Sequence, residues 1–287
     1  MDKPLIVGVD GSDPSLRALD WAVDEAATRG VPLHVVHASR WEWYEGHEPS
    51  FDINRTSVQA LSDHIAASAV ERALRRTTTV KVTSEVLPED PAVALSLISP
   101  EAGALVVGSR GRGELAELLL GSISLSVAAH AASPVFVVRG GEKNLRGGFR
   151  TVAVGVDDAQ EADSAVEFAL REAAARNATV DVVHAWRCPA REAPDFPSTA
   201  YDDHQRRATE LVEDLVRDAM ASHPEVTVRR EIVEGHARTA LLAASRTADL
   251  LVVGARRRKG HIGMQLGPVN HAVLHHSSCP VAVVPHA

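Results

Sequence analysis

The chain alternates short apolar runs with longer stretches in which apolar residues recur at helical spacing. In the first half, the apolar runs cover residues 5–10, 33–38, 80–87, 104–108 and 135–138. Short runs rich in valine, isoleucine and leucine predict strands that are buried on both faces. Between the first two runs, Leu16, Leu19 and Val23 predict the apolar stripe of a helix. The pattern therefore predicts an α/β fold in which helices flank a parallel sheet.

Residues with special backbone preferences mark the ends of this first helix. Asp13 is predicted to cap it, Pro14 suits the first helical position, and Gly30 suits the position just past the end. A second helix is predicted at residues 57–75, and two more begin near residues 90 and 121. Strands and helices thus alternate throughout the first half, as a doubly wound sheet requires.

The second half repeats the first. Its apolar runs cover residues 152–157, 180–185, 226–233, 250–254 and 281–284. Five landmark pairs lie 146 or 147 positions apart, namely Asp10 and Asp157, His37 and His184, Gly108 and Gly254, Gly121 and Gly267, and Pro134 and Pro280. So constant an offset indicates a duplicated domain. We predict domains at residues 1–140 and 150–287, joined by a glycine- and charge-rich linker at residues 141–149.

A glycine-bearing turn follows the fourth predicted strand. It reads Gly108-Ser109-Arg110-Gly111, then nine residues, then Gly121-Ser122 at the start of a helix. Such a turn directs backbone N–H groups at one point, which attracts anions, and its glycines let a phosphate approach closely. No Gly-Lys-Ser/Thr follows, so the turn differs from a P-loop.

The expected topology places this turn opposite an acidic residue. We predict that each domain is a five-stranded parallel sheet in the order 3-2-1-4-5, flanked by helices. In such sheets ligands bind beyond the carboxyl ends of the strands, where the winding reverses, here between strands one and four. Asp10 and the Gly108 turn are therefore predicted to face one crevice.

Composition limits the partners and the compartment. The hydrophobic fraction of 45% in 287 residues is enough for two cores. A net charge of −8 argues against a nucleic-acid partner, and the basic residues 256–259 are predicted to form a solvated or phosphate-facing loop. Cys188 and Cys279 lie far apart, which indicates a reducing compartment. With no signal peptide or membrane-length apolar stretch, we expect a cytoplasmic protein without a membrane partner.

These residues together resemble the universal stress protein family in its tandem two-domain form, over nearly the whole chain. The spacing Gly-x2-Gly-x9-Gly-Ser/Thr matches the nucleotide-binding signature of that family, and the Val-Asp-Gly-Ser after strand one also matches. The resemblance implies ATP as the bound cofactor, which Mg²⁺ can accompany, and a homodimer that acts with a further protein partner.

The resemblance also assigns roles to individual residues of the first domain. Asp10 matches the position near the adenine or ribose, and Ala38 the backbone position that recognises adenine. Val107 and Gly108 match the pair that contacts the ribose. The positions that match the phosphate contacts are Gly111, Gly121, Ser122 and Ile123. A turn or helix cap is the structural alternative for Asp10, and helix capping is the alternative for Ser122.

The second domain departs from the signature at two positions. Arg257 stands where a phosphate-loop glycine is expected, and Pro268 stands where the first domain has Ser122. Proline removes a backbone donor and the hydroxyl together. We therefore expect at most weak binding at the second set, which is Asp157, Ala185, Val253, Gly254 and Gly267.

The expected function is an ATP-binding stress-response or regulatory protein that holds nucleotide mainly in the first domain and is not an enzyme, or at most is a slow ATPase. Two alternatives stay open. One is a slow adenine-nucleotide hydrolase, although Val9-Asp10-Gly11-Ser12 lacks the Ser-Gly-Gly type of loop that such an enzyme would use. The other is an interaction scaffold that works without nucleotide.

Other residues allow further chemistry but favour plainer roles. His271 and His275 have the spacing of two metal ligands, yet a helix-surface role is the better interpretation and no metal site is expected. His37 and His184 at equivalent strand ends are predicted to be structural. Trp41 and Trp43 allow an aromatic lid over the nucleotide, although packing on the domain edge is commoner.

Overall fold

The computed structural model describes residues 3–39, 55–110, 120–157, 159–187, 198–255 and 266–285. The chain divides into two compact units, Met1–Arg139 and Gly140–Ala287. Each unit is an α/β domain whose described strands pair in parallel, which confirms the predicted fold class. Among the described helices, none combines the length and the apolarity needed to cross a bilayer.

The elements of the first unit follow the predicted alternation. They are β1 (Leu5–Gly8), α1 (Asp13–Arg29), β2 (Leu33–Ala38), α2 (Arg55–Arg76), β3 (Val82–Leu87), α3 (Pro91–Ile98), β4 (Ala104–Gly108), α4 (Ser122–His130) and β5 (Val135–Val138). The strand order is β3-β2-β1-β4-β5, which confirms the predicted order 3-2-1-4-5. Val7, Val106 and Phe136 on β1, β4 and β5 are fully buried. The core therefore lies on both faces of the central strands.

The second unit repeats this arrangement after a short additional helix. Its elements are α5 (Glu142–Leu145), β6 (Thr151–Val156), α6 (Ala159–Arg176), β7 (Thr179–Trp186), α7 (Ser198–Ser222), β8 (Val228–Glu234), α8 (Ala237–Ala244), β9 (Leu250–Ala255), α9 (Pro268–His276) and β10 (Val281–Pro285). The strand order is β8-β7-β6-β9-β10, the same winding as in the first unit.

The residues predicted as the linker make specific contacts within the second unit. Asn144 on α5 is buried, and its Nδ2 donates to Ala248 O at 2.7 Å. The Phe149 amide donates to Asp249 Oδ1 at 3.0 Å. The segment is rich in glycine and charge, yet hydrogen bonds anchor it to the second unit. The lack of apolar periodicity in its sequence did not indicate these bonds.

The first helix begins differently from the prediction. Ser12 is the N-cap of α1, and its hydroxyl accepts from the Ser15 amide at 3.4 Å. A capping residue has extended backbone angles, and Ser12 has them, with φ −76° and ψ 155°. Asp13 is the first residue of the helix. Gly30 ends the helix in the left-handed region at φ 67°, as predicted.

Two ion pairs fasten α1 to α2. Arg72 donates from Nε and Nη2 to the two carboxylate oxygens of Asp20, each at 2.7 Å. The hydrogen bonds that Arg72 donates to the Asp20 carboxylate raise the pKa of Arg72. Arg76 pairs in the same way with Asp24, at 2.7 and 2.6 Å. These pairs hold the helix whose first turn borders the site described next.

Candidate functional site

A cavity of about 540 Å³ opens at the carboxyl ends of β1, β2 and β4 in the first unit. Its size lies within the roughly 300–1,000 Å³ typical of small-molecule sites. It lies at the point where the winding reverses between β1 and β4, as the topology predicts. Seven of the eight residues predicted for the first site line it, namely Asp10, Ala38, Val107, Gly108, Gly121, Ser122 and Ile123. The eighth, Gly111, lies outside the described residues.

Apolar side chains that sequence reasoning did not assign form much of the cavity wall. They include Val36 on β2, Pro91 and Leu95 on α3, and Leu120 before α4. Gly8 at the end of β1 faces Leu95 of α3, and a Cβ on Gly8 would lie 2.8 Å from Leu95 Cδ1, at the end of a flexible side chain. The wall offers apolar surface to a ligand, and the polar lining residues lie just after the strands or in the first turns of the helices.

Asp10 is oriented by a network at the start of α1. Its Oδ1 accepts from the Ser12 amide at 3.0 Å and from the Ser12 hydroxyl at 2.6 Å. The Asp10 amide in turn donates to Ser15 Oγ at 3.3 Å. Asp10 thus forms the turn that was its structural alternative while also lining the cavity. Its carboxylate is a fixed hydrogen-bond acceptor at one end of the site.

Gly108 lets two backbones meet at the floor of the cavity. A Cβ on Gly108 would lie 2.7 Å from Pro14 O and 2.9 Å from Pro14 C in the first turn of α1. Backbone atoms cannot rotate away as a flexible side chain can. Glycine therefore permits the close packing of α1 on the end of β4 that brings Asp10 and the glycine turn to one crevice.

The helix α4 presents its N-terminus to the cavity. Gly121 is its N-cap, with φ −65° and ψ 143° and no side-chain capping bond. The Gly121 amide donates to Ser109 O at 2.9 Å, which ties the cap to the turn after β4. The amides of the first turn have no intrahelical acceptor, so they can bind an anion. Ser122 adds a hydroxyl there.

Two residues that sequence reasoning missed complete this end of the site. Ser124, one residue after Ile123, lines the cavity, and its buried hydroxyl donates to Gly108 O at 2.6 Å. Arg110, half-buried, also lines it. Arg110 is one of the two variable residues between Gly108 and Gly111, so its position in the signature could have indicated it. The signature assigns no role to those variable residues.

The two equivalent histidines have the same structural role. His37 Nδ1 donates to Val9 O at 2.7 Å, and His184 Nδ1 donates to Val156 O at 3.0 Å. Both rings are buried. Each bond fastens the end of the second strand of its unit to the end of the first, as predicted for structural histidines.

In the second unit, the predicted site residues lie at the carboxyl ends of adjacent strands. The residues around them differ from those around the first site. Ala185 lies on β7, Val253 and Gly254 lie on β9, and Asp157 follows β6 between them. Asp157 is exposed, and Ala159 occupies the position of Ser12, so no hydroxyl from that position can orient the carboxylate.

The last helix of the second unit begins at the position of the phosphate signature. Gly267 is the N-cap of α9 and Pro268 is its first residue. Asn270 stands where the first unit has Ser124, and its Nδ2 donates to Gly254 O at 2.9 Å. The attachment of helix to strand is therefore present in both units, whereas the amide and hydroxyl of Ser122 have no counterpart at Pro268.

The remaining candidates do not form a site among the residues that the structure describes. The rings of His271 and His275 are stacked with their centroids 6.4 Å apart, and no described group of three His, Cys, Asp or Glu residues could hold a metal ion. Cys279 is buried, with Sγ 3.5 Å from Ser277 Oγ. Cys188, Trp41, Trp43 and the basic residues 256–259, with Arg257, lie outside the described residues.

Comparison with known proteins agrees with the repeat and the fold. The profile of the universal stress protein family matches residues 1–139 and 148–285. A universal stress protein of Mycobacterium tuberculosis is 33% identical over 298 residues, which cover 99% of each chain. The crystal structure of a universal stress protein from Archaeoglobus fulgidus has a TM-score of 0.73 at 19% identity, and the match covers 99% of this chain and 98% of that one. A solved universal stress protein in complex with cAMP is 28% identical, covers 48% of this chain and 97% of its own, and has a TM-score of 0.36.

Proposed function

The chain belongs to the universal stress protein family, and we propose that its N-terminal unit binds ATP as the nucleotide-responsive part of a stress-response regulatory protein. The observation that carries the proposal is the convergence on one cavity of seven residues that the family resemblance assigns to a nucleotide site. These residues lie on or just after β1, β2 and β4 and at the start of α4, which are separate segments of the chain. Their meeting in one cavity supports the nucleotide site that the signature predicts.

The distribution of polar groups supports a nucleotide as the ligand. Val36, Leu95 and Val107 offer apolar surface for a base. Asp10 can accept a hydrogen bond from a base amino group or a ribose hydroxyl. The N-terminus of α4 carries unpaired amides and a partial positive charge, which suit a phosphate. An apolar wall, an acceptor and an anion site in one cavity match the three parts of a nucleotide.

We propose binding, with no catalytic step. The described part of the cavity lining holds one carboxylate, Asp10, and no histidine, cysteine or lysine. That carboxylate already accepts two hydrogen bonds from Ser12 on Oδ1. Hydrolysis of a phosphate ester would use a base close to the attacking water, next to the phosphate end. A protein that holds ATP without consuming it can report nucleotide levels to a partner.

The test is direct analysis of the full-length protein for bound nucleotide, followed by titration. Mass spectrometry of the denatured, freshly purified protein should detect ATP. After removal of the nucleotide, calorimetric titration with ATP should show binding that Gly121→Glu weakens at least a hundredfold, because the new carboxylate enters the anion site at the start of α4. The fold should survive, since a Cβ on Gly121 would make only an ordinary contact of 3.4 Å with Arg110 Cα.

The matched control is Gly267→Glu at the equivalent cap of α9, where a Cβ would meet open space. It adds the same charge to the chain and should leave ATP binding unchanged. Unchanged affinity in Gly121→Glu, or equal losses in both variants, would contradict the proposed site. Protein that neither carries nor binds adenine nucleotide would favour the scaffold alternative, and steady release of ADP would favour the hydrolase.

A further inference from the structure

We propose that the chain associates with a second copy of itself through two complementary helix faces. The outer face of α3 in one copy packs against the outer face of α8 in the other. The two helices are equivalent elements, because each lies between the third and fourth strands of its unit. Their outer residues do not line the cavity of the first unit, so this association is a separate property from the proposed nucleotide binding.

The outer face of α3 is apolar although it is exposed. Ser96 is the one polar residue of this helix, and its hydroxyl donates to Ala92 O at 2.7 Å within the helix itself. Leu95 is buried on the inner side, whereas Val93 and Leu97 are 43% and 70% exposed. These two residues are four positions apart, so they share a face. A helix that is apolar all round is typical of a covered element, yet this face is open to solvent in the single chain.

The outer face of α8 has smaller side chains. Thr239 and Ala243 occupy the positions of Val93 and Leu97, and both are exposed. The shared fold therefore does not require large apolar residues at these positions, and their presence on α3 needs a separate reason. Large side chains on one helix pack into the spaces between side chains on a neighbouring helix, and small residues leave such spaces. The two faces thus have complementary relief.

The charges around the two faces are opposite. The stretch that contains α3, residues 89–102, has three carboxylates and no lysine or arginine. Lys3 donates from Nζ to Pro100 O at 2.7 Å, which lowers this local negative charge without cancelling it. The equivalent stretch that contains α8, residues 235–248, has two arginines and no carboxylate. The charged residues of the two stretches are Glu89, Asp90 and Glu101 in the first and Arg238 and Arg246 in the second.

The charged groups at the ends of both helices are accessible. Arg238 and Arg246 are exposed, and neither guanidinium has a hydrogen-bond or ion-pair partner among the described residues. Glu89 and Glu101 are exposed as well. Opposite charges at the rim of an apolar contact fix the partner and its orientation. Both groups of charges therefore suit the rim of a contact with apolar residues at its centre.

An antiparallel arrangement of the two helices brings opposite charges together at both ends. Glu89, just before α3, then lies near Arg246, just after α8, and Glu101 lies near Arg238. Antiparallel helices also place opposite ends of their dipoles side by side. Every copy of the chain carries both faces, so a second copy supplies the surface that α3 lacks.

The first experiment measures the mass of the full-length protein in solution by analytical ultracentrifugation over a range of concentrations. Wild-type protein should associate reversibly. Leu97→Lys should weaken the association at least about tenfold, because the contact would then bury an ammonium group without a partner. The matched control is Leu61→Lys, which changes an exposed leucine of α2 and should leave the association unchanged. A monomeric wild type, or equal effects of the two variants, would overturn the proposal.

A second experiment reverses the charges. Glu89→Lys with Glu101→Lys makes both faces basic, and Arg238→Glu with Arg246→Glu makes both faces acidic. Each double variant alone should associate at least about tenfold more weakly than the wild type, because like charges then meet. An equimolar mixture of the two should regain the association, since every basic face then meets an acidic one.

The control for charge reversal is Arg75→Glu, at a position in the last turn of α2 where the side chain is 71% exposed. It should associate like the wild type. Pairing of α3 with α3 would leave the Arg238→Glu, Arg246→Glu variant unaffected, and pairing of α8 with α8 would leave the Glu89→Lys, Glu101→Lys variant unaffected. Either result, or a mixture that fails to associate, would contradict the contact between α3 and α8. None of these outcomes bears on nucleotide binding, which titration with ATP tests independently.

Discussion

At the scale of single residues, the site depends on side chains that are small or fixed. Position 108 needs glycine because a Cβ there would lie 2.7 Å from Pro14 O. Ser12 acts differently, because it caps α1 and at the same time donates two hydrogen bonds to Asp10. The same residue thus starts a helix and orients the acceptor of the site. Its counterpart in the second half is Ala159, which has no hydroxyl to donate to Asp157.

The close approach at Gly108 predicts a stability defect. Gly108→Ala should lower the free energy of unfolding of the N-terminal unit by about 1–3 kcal/mol, because α1 must move away from β4 to admit the methyl group. ATP affinity should fall as well, since Asp10 moves with α1. Thermal and urea unfolding of the full chain would measure the loss. Gly267→Ala is the control, because its Cβ would have no heavy atom within 4 Å. A stable Gly108→Ala protein with normal affinity would contradict the packing argument.

At the scale of elements, a side chain fastens the last helix of each unit to the end of its fourth strand. Ser124 on α4 donates to Gly108 O at 2.6 Å, and Asn270 on α9 donates to Gly254 O at 2.9 Å. A hydroxyl and an amide make the same bond from equivalent positions. The attachment holds the N-terminus of the helix against the strand end, where an anion site has to be rigid to bind well.

Loss of this bond should destabilise each unit by a similar amount. Ser124→Ala and Asn270→Ala should each lower the free energy of unfolding of their unit by about 0.5–1.5 kcal/mol, the usual net value of one hydrogen bond. Only Ser124→Ala should also weaken ATP binding. Ser126→Ala, at a half-buried position on the same helix, is the control and should change neither quantity by a comparable amount. Denaturant unfolding with calorimetric titration would separate the two effects. An unaffected Ser124→Ala protein would show that the bond is dispensable.

At the scale of the whole molecule, the two units share one fold but differ at the strand ends where we propose nucleotide binding. Both units have the order 3-2-1-4-5 and the same histidine bond between their first two strands. They differ at the start of the last helix, where the first unit has Ser122 and the second has Pro268. Each lost charge-assisted hydrogen bond costs about 1.5–3 kcal/mol, so the loss of two weakens binding at least about a hundredfold.

This asymmetry predicts one tight nucleotide site in each chain. Calorimetric titration of the full-length protein should give a stoichiometry near one ATP per chain. Ser122→Pro, which introduces the residue of the second unit into the first, removes both of these hydrogen bonds and should weaken that site about a hundredfold or more. The helix should still form, because proline is well tolerated in the first turn. Two sites of equal affinity, or a Ser122→Pro variant that binds like the wild type, would contradict the asymmetry.

Much of this molecule could be predicted from local pattern. The apolar runs predict the strands because a buried parallel strand has to be apolar on both faces, and the offsets between Asp10 and Asp157 and between Gly108 and Gly254 reveal the repeat. Glycines in a strand-to-helix turn predict the anion site because only they allow so close an approach. Signals of this kind depend on a few adjacent residues, so the sequence contains them in full.

What the sequence by itself determined is therefore the order of elements, the duplication and the residues at strand ends. Only the tertiary structure decided that Leu95, Leu120 and Arg110 share a cavity with Asp10, and that Ser124 is bonded to Gly108. It also decided that Ser12, and not Asp13, caps α1. These features arise from contacts between segments far apart in the chain or from the backbone angles of a single residue. Neither kind of feature produces a periodic pattern in the sequence. Hydrophobic periodicity shows which face of an element is buried, and it does not show which neighbouring element covers that face.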